Sequence, residues 1–249
     1  MSDQLLLNAQ ALTKRYAGMA QPAVKSFDLE LHRGEFVGLL GPNGAGKTTT
    51  ISMLSTLIRP DSGQITIDGH DAVTSPQGIR HSLGVVPQDL ALYSTLTLRE
   101  NLTFWGRLYG VHGAPLKQRI QECSEFVALT DVLDRTIDTF SGGMKRRANL
   151  AAGILHQPDL LFLDEPTVGI DAQSRHQILS NLRQLNRNGM TMVYTTHYME
   201  EVQQLCSRVI IVDAGEVVTQ GEVASILTDH ECSHLEELFL KLTGNQLRD

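Results

Sequence analysis

Short apolar runs alternate with longer helical periods along the chain, the behaviour of a mostly parallel sheet covered by helices. Runs rich in branched aliphatic residues predict strands at 35–40, 65–68, 83–86, 160–164, 191–196 and 209–212. Between 98 and about 157 the texture changes. Leu98, Leu102, Trp105 and Leu108 recur at the spacing of one helix face, and Ile120, Cys123 and Val127 at that of another. That segment reads as an inserted helical lobe. Residues 209–221 set alternating apolar positions about an Asp-Ala-Gly turn, which predicts a strand pair before a final helix. The expected class is α/β, in one domain without repeats, low-complexity tracts or long linkers.

The 249 residues, 41% of them hydrophobic, suffice for one substantial core. A formal net charge of -7 gives no general reason to attract nucleic acid, and none is expected as a partner. The three cysteines, Cys123, Cys206 and Cys232, are scattered and lack CxxC spacing, which fits a reducing cytosol better than a disulfide framework. The N-terminal stretch lacks the basic-then-apolar run of a secretion signal, and no run of 18 apolar residues is present.

The segment Gly41, Pro42, Asn43, Gly44, Ala45, Gly46, Lys47, Thr48 fits the phosphate-loop pattern and follows the strand EFVGLL. Glycines allow the backbone to wrap around phosphate oxygens, and a helix beginning near Lys47 aims unpaired N–H groups at the anion. Lys47 is expected at the β and γ phosphates of ATP, the Thr48 hydroxyl on Mg²⁺, and Thr49 at a phosphate nearer the nucleoside. A second apolar run, LLFLDEP, delivers Asp164 and Glu165 at its end, where open α/β sheets place their ligands. Side chains alternate on a strand, so the two acids are expected to serve different groups. Asp164 suits Mg²⁺, and Glu165 suits the attacking water as general base.

These two motifs define a broad class of nucleotide hydrolases. The segment FSGGMKRR, residues 140–147, resembles the LSGGQ signature of ABC ATPases, and the order of phosphate loop, glutamine loop, signature, DE-P strand and histidine is similar to that family across nearly the whole chain. Phe140 and Met144 depart from the signature, while Ser141, Gly142 and Gly143 keep it. The resemblance implies a phosphate-loop core sheet of RecA type with antiparallel strands at one side. It implies a nucleotide-binding core at 1–92 and 158–221, a helical subdomain at 93–157 carrying the signature, and a helical tail at 222–249. It assigns Gln88, in VVPQD, to the loop linking Mg²⁺ and water to a membrane partner. Asp171, in VGID, falls on a dimer-contacting turn, His197, in TTH, on the γ-phosphate, and Tyr16, in LTKRY, on the adenine.

The family further implies a dimer, with a second copy or a homologous ATPase subunit, in which Ser141 to Gly143 of one chain cover the nucleotide held by the other. Separate transmembrane permease subunits would hold the pair at the cytoplasmic face of the inner membrane. The signature variant, LTLRENLTFWGRLYG and LEELFLKLTG look like the ABC-2 exporter branch. The roughly fifty residues after His197 leave no room for the long regulatory domain of many import ATPases. An importer ATPase, a soluble relative acting on a non-membrane partner, and a nucleotide-binding module without turnover are the alternatives. Two other features have plainer readings: Lys145, Arg146 and Arg147 as a solvated helix face, and His230, Cys232 and His234 as surface residues of a terminal helix without a fourth metal ligand.

Overall fold

The computed structural model describes residues 4–244. The elements are β1 (Leu5–Lys14), β2 (Val24–His32), β3 (Phe36–Leu40), α1 (Lys47–Leu54), β4 (Ser62–Ile67), β5 (His70–Asp71) and β6 (Leu83–Val86). The helical segment holds α2 (Leu98–Leu108), α3 (Gly113–Phe126) and α4 (Gly142–Ile154). There follow β7 (Leu160–Asp164), α5 (Ala172–Arg187), β8 (Thr191–Thr196), α6 (Met199–Leu205), β9 (Arg208–Asp213), β10 (Glu216–Glu222), α7 (Val223–Asp229) and α8 (Leu235–Thr243).

The main sheet runs β10-β9-β3-β8-β7-β6, with β10 antiparallel to β9 and the remaining pairs parallel. A second, antiparallel sheet runs β2-β1-β4-β5. The main sheet is buried on both faces, which is why its strands read as continuous apolar runs and not as alternation. Odd and even residues serve two cores. Phe36, Leu40, Leu161, Leu163, Met192 and Tyr194 face the helices α2 to α6, whereas Val37, Leu39, Leu160, Phe162 and Val193 face the antiparallel sheet and α1. Truncating one such leucine to alanine costs about 2–5 kcal/mol, so the sheet's position is well fixed.

Register places the strand ends that matter side by side. Leu40 is opposite Thr196, Thr195 opposite Asp164, and Leu163 opposite Val86. The loops leaving β3, β8, β7 and β6 therefore emerge together at the carboxyl edge. The helical lobe starts from a capping box: Glu100 N donates to Thr97 Oγ1 at 3.1 Å and Thr97 N donates to Glu100 Oε2 at 2.8 Å.

Several expectations need correction. Leu98 and Leu102 are buried, but Leu108 is 65% exposed and Trp105 is half-buried with its Nε1 donating to Ala91 O at 2.8 Å. Two short helices, α7 and α8, replace the single terminal one. His230 ends α7 and His234 precedes α8, so the His-Cys-His stretch is a connecting turn. Strand β4 begins at Ser62, before the predicted 65, because Gln64 and Gln10 pair at its exposed end. The outer residues of the predicted core and tail, 1–3 and 245–249, lie outside the described residues.

Candidate nucleotide site

The loop between β3 and α1 owes its shape to three glycines. Gly44 and Gly46 have φ of 81° and 100°, the left-handed region that glycine enters without strain. A Cβ on Gly41 would overlap Val212 O, and one on Gly46 would overlap Ala23 O, so side chains are excluded at both. Gly46 caps α1, whose first residue is Lys47.

Lys47 is 6% exposed and turns back into its own loop. Its Nζ donates to Gly41 O at 2.8 Å and Pro42 O at 3.1 Å and lies 3.4 Å from Glu165 Oε1. The other carboxylate oxygen of Glu165 lies 3.2 Å from His197 Nδ1. Lys47, at the start of α1, and Glu165 and His197, just past β7 and β8, thus form one contact chain. Asp164 is directed elsewhere, with Oδ1 accepting from Thr195 Oγ1 at 2.5 Å. The two acids do serve different groups, but not by strand alternation. β7 ends at Asp164, and Glu165 turns into the left-handed region with φ 47°. Its N–H donates to Thr195 O and Thr195 Oγ1, each at 3.1 Å, which holds a conformation costly for a residue with a Cβ.

Around this centre, Asn43, Gly44 and Thr48 are exposed, Ala45 is buried, and Thr49 lies 3.3 Å through its hydroxyl from Tyr16 OH. Tyr16 is 42% exposed, which leaves ring surface for a base to stack on. Gln88 is exposed just past β6, and its backbone carbonyl accepts from Arg146. Arg146 and Arg147 are therefore not a solvated face. Arg147 Nη1 donates to Val127 O at 2.7 Å and to Ala128 O at 3.0 Å. Burial lowers the pKa of the Arg146 guanidinium, with Asp89 and Glu165 drawing it the other way.

The signature residues sit on a different layer. Ser141 caps α4, its Oγ accepting from Met144 N at 3.2 Å. α4 packs on α2, α3, α5 and β6, whereas α1 packs on β7 and β8. Among the described residues no hydrogen bond joins Ser141, Gly142 or Gly143 to the phosphate loop. Ser141 and Gly142 are exposed, and Gly143 is buried against Ser174 and Asp171. Asp171 caps α5, accepting from Ser174 N at 2.9 Å and from Ser174 Oγ at 2.7 Å. Those two donors hold its carboxyl below the usual carboxylate range. The signature and the aspartate turn are thus one rigid patch, a coupling that sequence order alone does not reveal.

The sequence reading missed Thr195, Ser174 and Arg146. Thr195 had the clearest signal, a hydroxyl two residues before the histidine in the polar end, YTT, of a buried strand.

The pattern of the ABC transporter family matches residues 24–168. The chain is 50% identical over 216 residues to the linearmycin resistance ATP-binding protein LnrL of Bacillus subtilis, covering 87% of this chain and 69% of that one. It is 36% identical over 249 residues to the doxorubicin resistance ATP-binding protein DrrA of Mycobacterium tuberculosis, covering all of this chain and 73% of that one. Among solved structures, the dimeric ATP-binding cassette MJ0796 in a post-hydrolysis state with ADP and Pi superposes with a TM-score of 0.80 at 26% identity, covering 87% of this chain and 98% of that chain.

Proposed function

The chain belongs to the ABC transporter family and is one of its ATP-hydrolysing cassettes, and from that premise we propose that it powers an ABC-2 type exporter through separate transmembrane subunits. The resistance proteins it is similar to support export over import. Among the described residues no helix is long and apolar enough to cross a membrane; on this reading a separate permease holds the cassette at the cytoplasmic face.

The observation that carries the chemical reading is the contact chain Lys47, Glu165, His197. The backbone N–H groups of Gly44 and of residues 46–49 and the Lys47 ammonium receive the phosphates, while Ala45 N–H closes the loop on Pro42 O. Glu165, buried and held by Thr195, accepts the proton of the attacking water, and His197 on its other oxygen contacts the γ-phosphate. Thr48, Gln88 and Asp164 offer a hydroxyl, an amide and a carboxylate, the hard oxygen donors that suit Mg²⁺. When bound, that ion neutralises charge on the β and γ phosphates.

Among the described residues no hydrogen bond brings the signature of this chain to its own phosphate loop. Exposed Ser141 and Gly142, with Asp171 beside them, present a patch for a second subunit's nucleotide. Two subunits arranged head to tail about a two-fold axis would complete both sites. ATP then favours the closed pair through contacts available only there, and hydrolysis removes them.

Glu165→Gln tests this chemistry, because an amide cannot take the proton. ATP affinity is expected to stay within about threefold while turnover falls by roughly 10²–10⁴. Near-parental turnover would overturn the assignment of Glu165 as base.

A further inference from the structure

Glu201, on α6, is a buried carboxylate that the phosphate chemistry does not use, with its side chain 5% exposed. Its Oε2 accepts three hydroxyl hydrogen bonds: from Tyr194 at 2.5 Å, Thr167 at 3.0 Å and Thr196 at 3.1 Å. Its Oε1 faces Arg175 Nε at 3.6 Å, and neither of those buried atoms makes a hydrogen bond. Four elements thus meet on one side chain: α6, β8, α5 and the turn after β7. The hydrogen bonding of this buried carboxylate rests on one oxygen and three hydroxyls, with the Arg175 charge opposite the other oxygen, and it loses its balance when one partner goes.

The identity of the donors gives the cluster its meaning. Thr167 lies two residues past Glu165 in the turn that holds Glu165 at φ 47°, and Val168 N closes that turn on Glu165 O at 3.3 Å. Thr196 immediately precedes His197, and its Oγ1 also accepts from Tyr198 N at 2.9 Å. Both backbone segments flanking the Glu165–His197 contact are therefore fastened to the same carboxylate oxygen. From the outer side, Arg175 lies over the Tyr198 ring with its Cζ 4.4 Å from the centroid, and that ring lies 4.1 Å from the His197 ring. Burial, and then the adjacent Glu201 charge, push the Tyr194 phenol well above its ordinary pKa, so Tyr194 remains a donor to the cluster.

We propose that Glu201 is a positioning residue for ATP hydrolysis, setting the distance between Glu165 and His197 through Thr167 and Thr196. It touches neither nucleotide nor water; it fixes the two groups that do. The inference rests on the assignment of Glu165 and His197 to the hydrolytic step. A base and its partner misplaced by a fraction of an ångström lose rate without losing substrate.

Glu201→Gln keeps the shape but removes the charge and one acceptor oxygen, so that its amide N–H₂ must face donors on either side, the three hydroxyls or the Arg175 guanidinium. In the full chain, steady-state ATP hydrolysis is expected to show kcat reduced about tenfold or more with KM within about twofold. Thr167→Val, which removes one hydroxyl at constant volume, is expected to lower kcat in the same way, and Thr167→Ser to restore it. Should Glu201→Gln fail to fold, the Thr167 pair carries the test. A double-mutant cycle supplies the readout that general loosening would not move. In a His197→Ala background the further loss from Thr167→Val is expected to shrink to less than about a third of its parental value, because the positioned group is gone. Parental kcat in both Glu201→Gln and Thr167→Val, or equal losses with and without His197, overturns the inference. Glu165→Gln is measured alongside. If it is silent while the Glu201 and Thr167 variants are active, the positioning role alone fails; if it too turns over normally, the reading beneath it fails as well.

Discussion

Arg146, in α4, donates a hydrogen bond to the backbone carbonyl of Gln88. One side chain thereby joins the helix that opens at Ser141 to the loop that leaves β6. Asn149, further along α4, donates to Pro87 O at 3.1 Å and accepts from Ala91 N at 3.0 Å. The loop is gripped by its backbone while the Gln88 side chain stays exposed, so a shift of the loop carries α4, and the signature with it.

Arg146→Ala removes one of these ties without touching the phosphate loop. A loss of about 1 kcal/mol is expected, the net worth of one such bond, with a Tm drop of about 2–4 °C for a chain of this size. Amide exchange at residues 87–91 is expected to speed up about fivefold while the strands of the main sheet keep their protection. Unchanged exchange in that loop would show that Asn149 alone holds it.

The adjacent signature glycines have different surroundings. A Cβ on Gly143 would overlap Ser174 Oγ, whereas one on Gly142 meets its nearest atom, Gly169 O, at 3.7 Å. Gly143→Ala is therefore expected to lose about 1–3 kcal/mol by overpacking, and Gly142→Ala to remain within about 0.5 kcal/mol of the parent. Thermal unfolding of the pair checks this, with equal midpoints as the contrary result. An acidic substitution at Gly143 would likewise act through its own chain's Ser174 before meeting any phosphate.

His156 makes stability depend on pH. Its Nε2 lies 2.9 Å from Leu83 O, its Nδ1 is buried without a partner, and its ring stacks on Tyr109 at 3.7 Å. Burial lowers its pKa below 6.5, outweighing the hydrogen bond to Leu83, with the charges of Arg119 and His81 acting in the same direction as burial. The unfolded chain thus takes up this proton first as pH falls. The contribution is whole above pH 6.5 and is lost as pH falls through the folded value. Denaturant unfolding between about pH 8 and pH 5.5 is expected to show a steeper decline for the parent than for His156→Phe. Parallel declines would contradict it.

Where one physical rule dominates, the sequence was legible. Doubly buried strands such as LLFLD stand out by composition, and the phosphate loop by the glycines its tight approaches require. The strands β1 and β2 escaped individual prediction. Ala11 and Ser26, at φ 50° and 46°, mark irregularities that break the alternation, although Phe27, Leu29 and Leu31 still carry it. The residues proposed for the chemistry were named in the sequence by motif order. Their supports were not: Thr195, Thr167 and Glu201 act through hydrogen bonds between segments that only the fold brings together. The arginines after the signature misled for the same reason, since a charge run says nothing about nearby carbonyls.

Phosphate release from two inactive variants, alone and mixed, tests the shared site most directly. Lys47→Ala keeps a sound signature, and Ser141→Arg keeps a sound phosphate loop while spoiling the signature it offers to its neighbour's nucleotide. Ser141→Arg also loses the α4 cap, about 1 kcal/mol, so its fold is checked first by thermal unfolding. Each variant alone is expected to be nearly silent. Equal mixing with free exchange gives half mixed dimers, each with one complete composite site, and activity should return to on the order of a quarter of the parental rate, if each complete site works independently. Parental turnover by Ser141→Arg alone, at a dilution where the protein is monomeric, would contradict the account and leave a self-contained ATPase in its place.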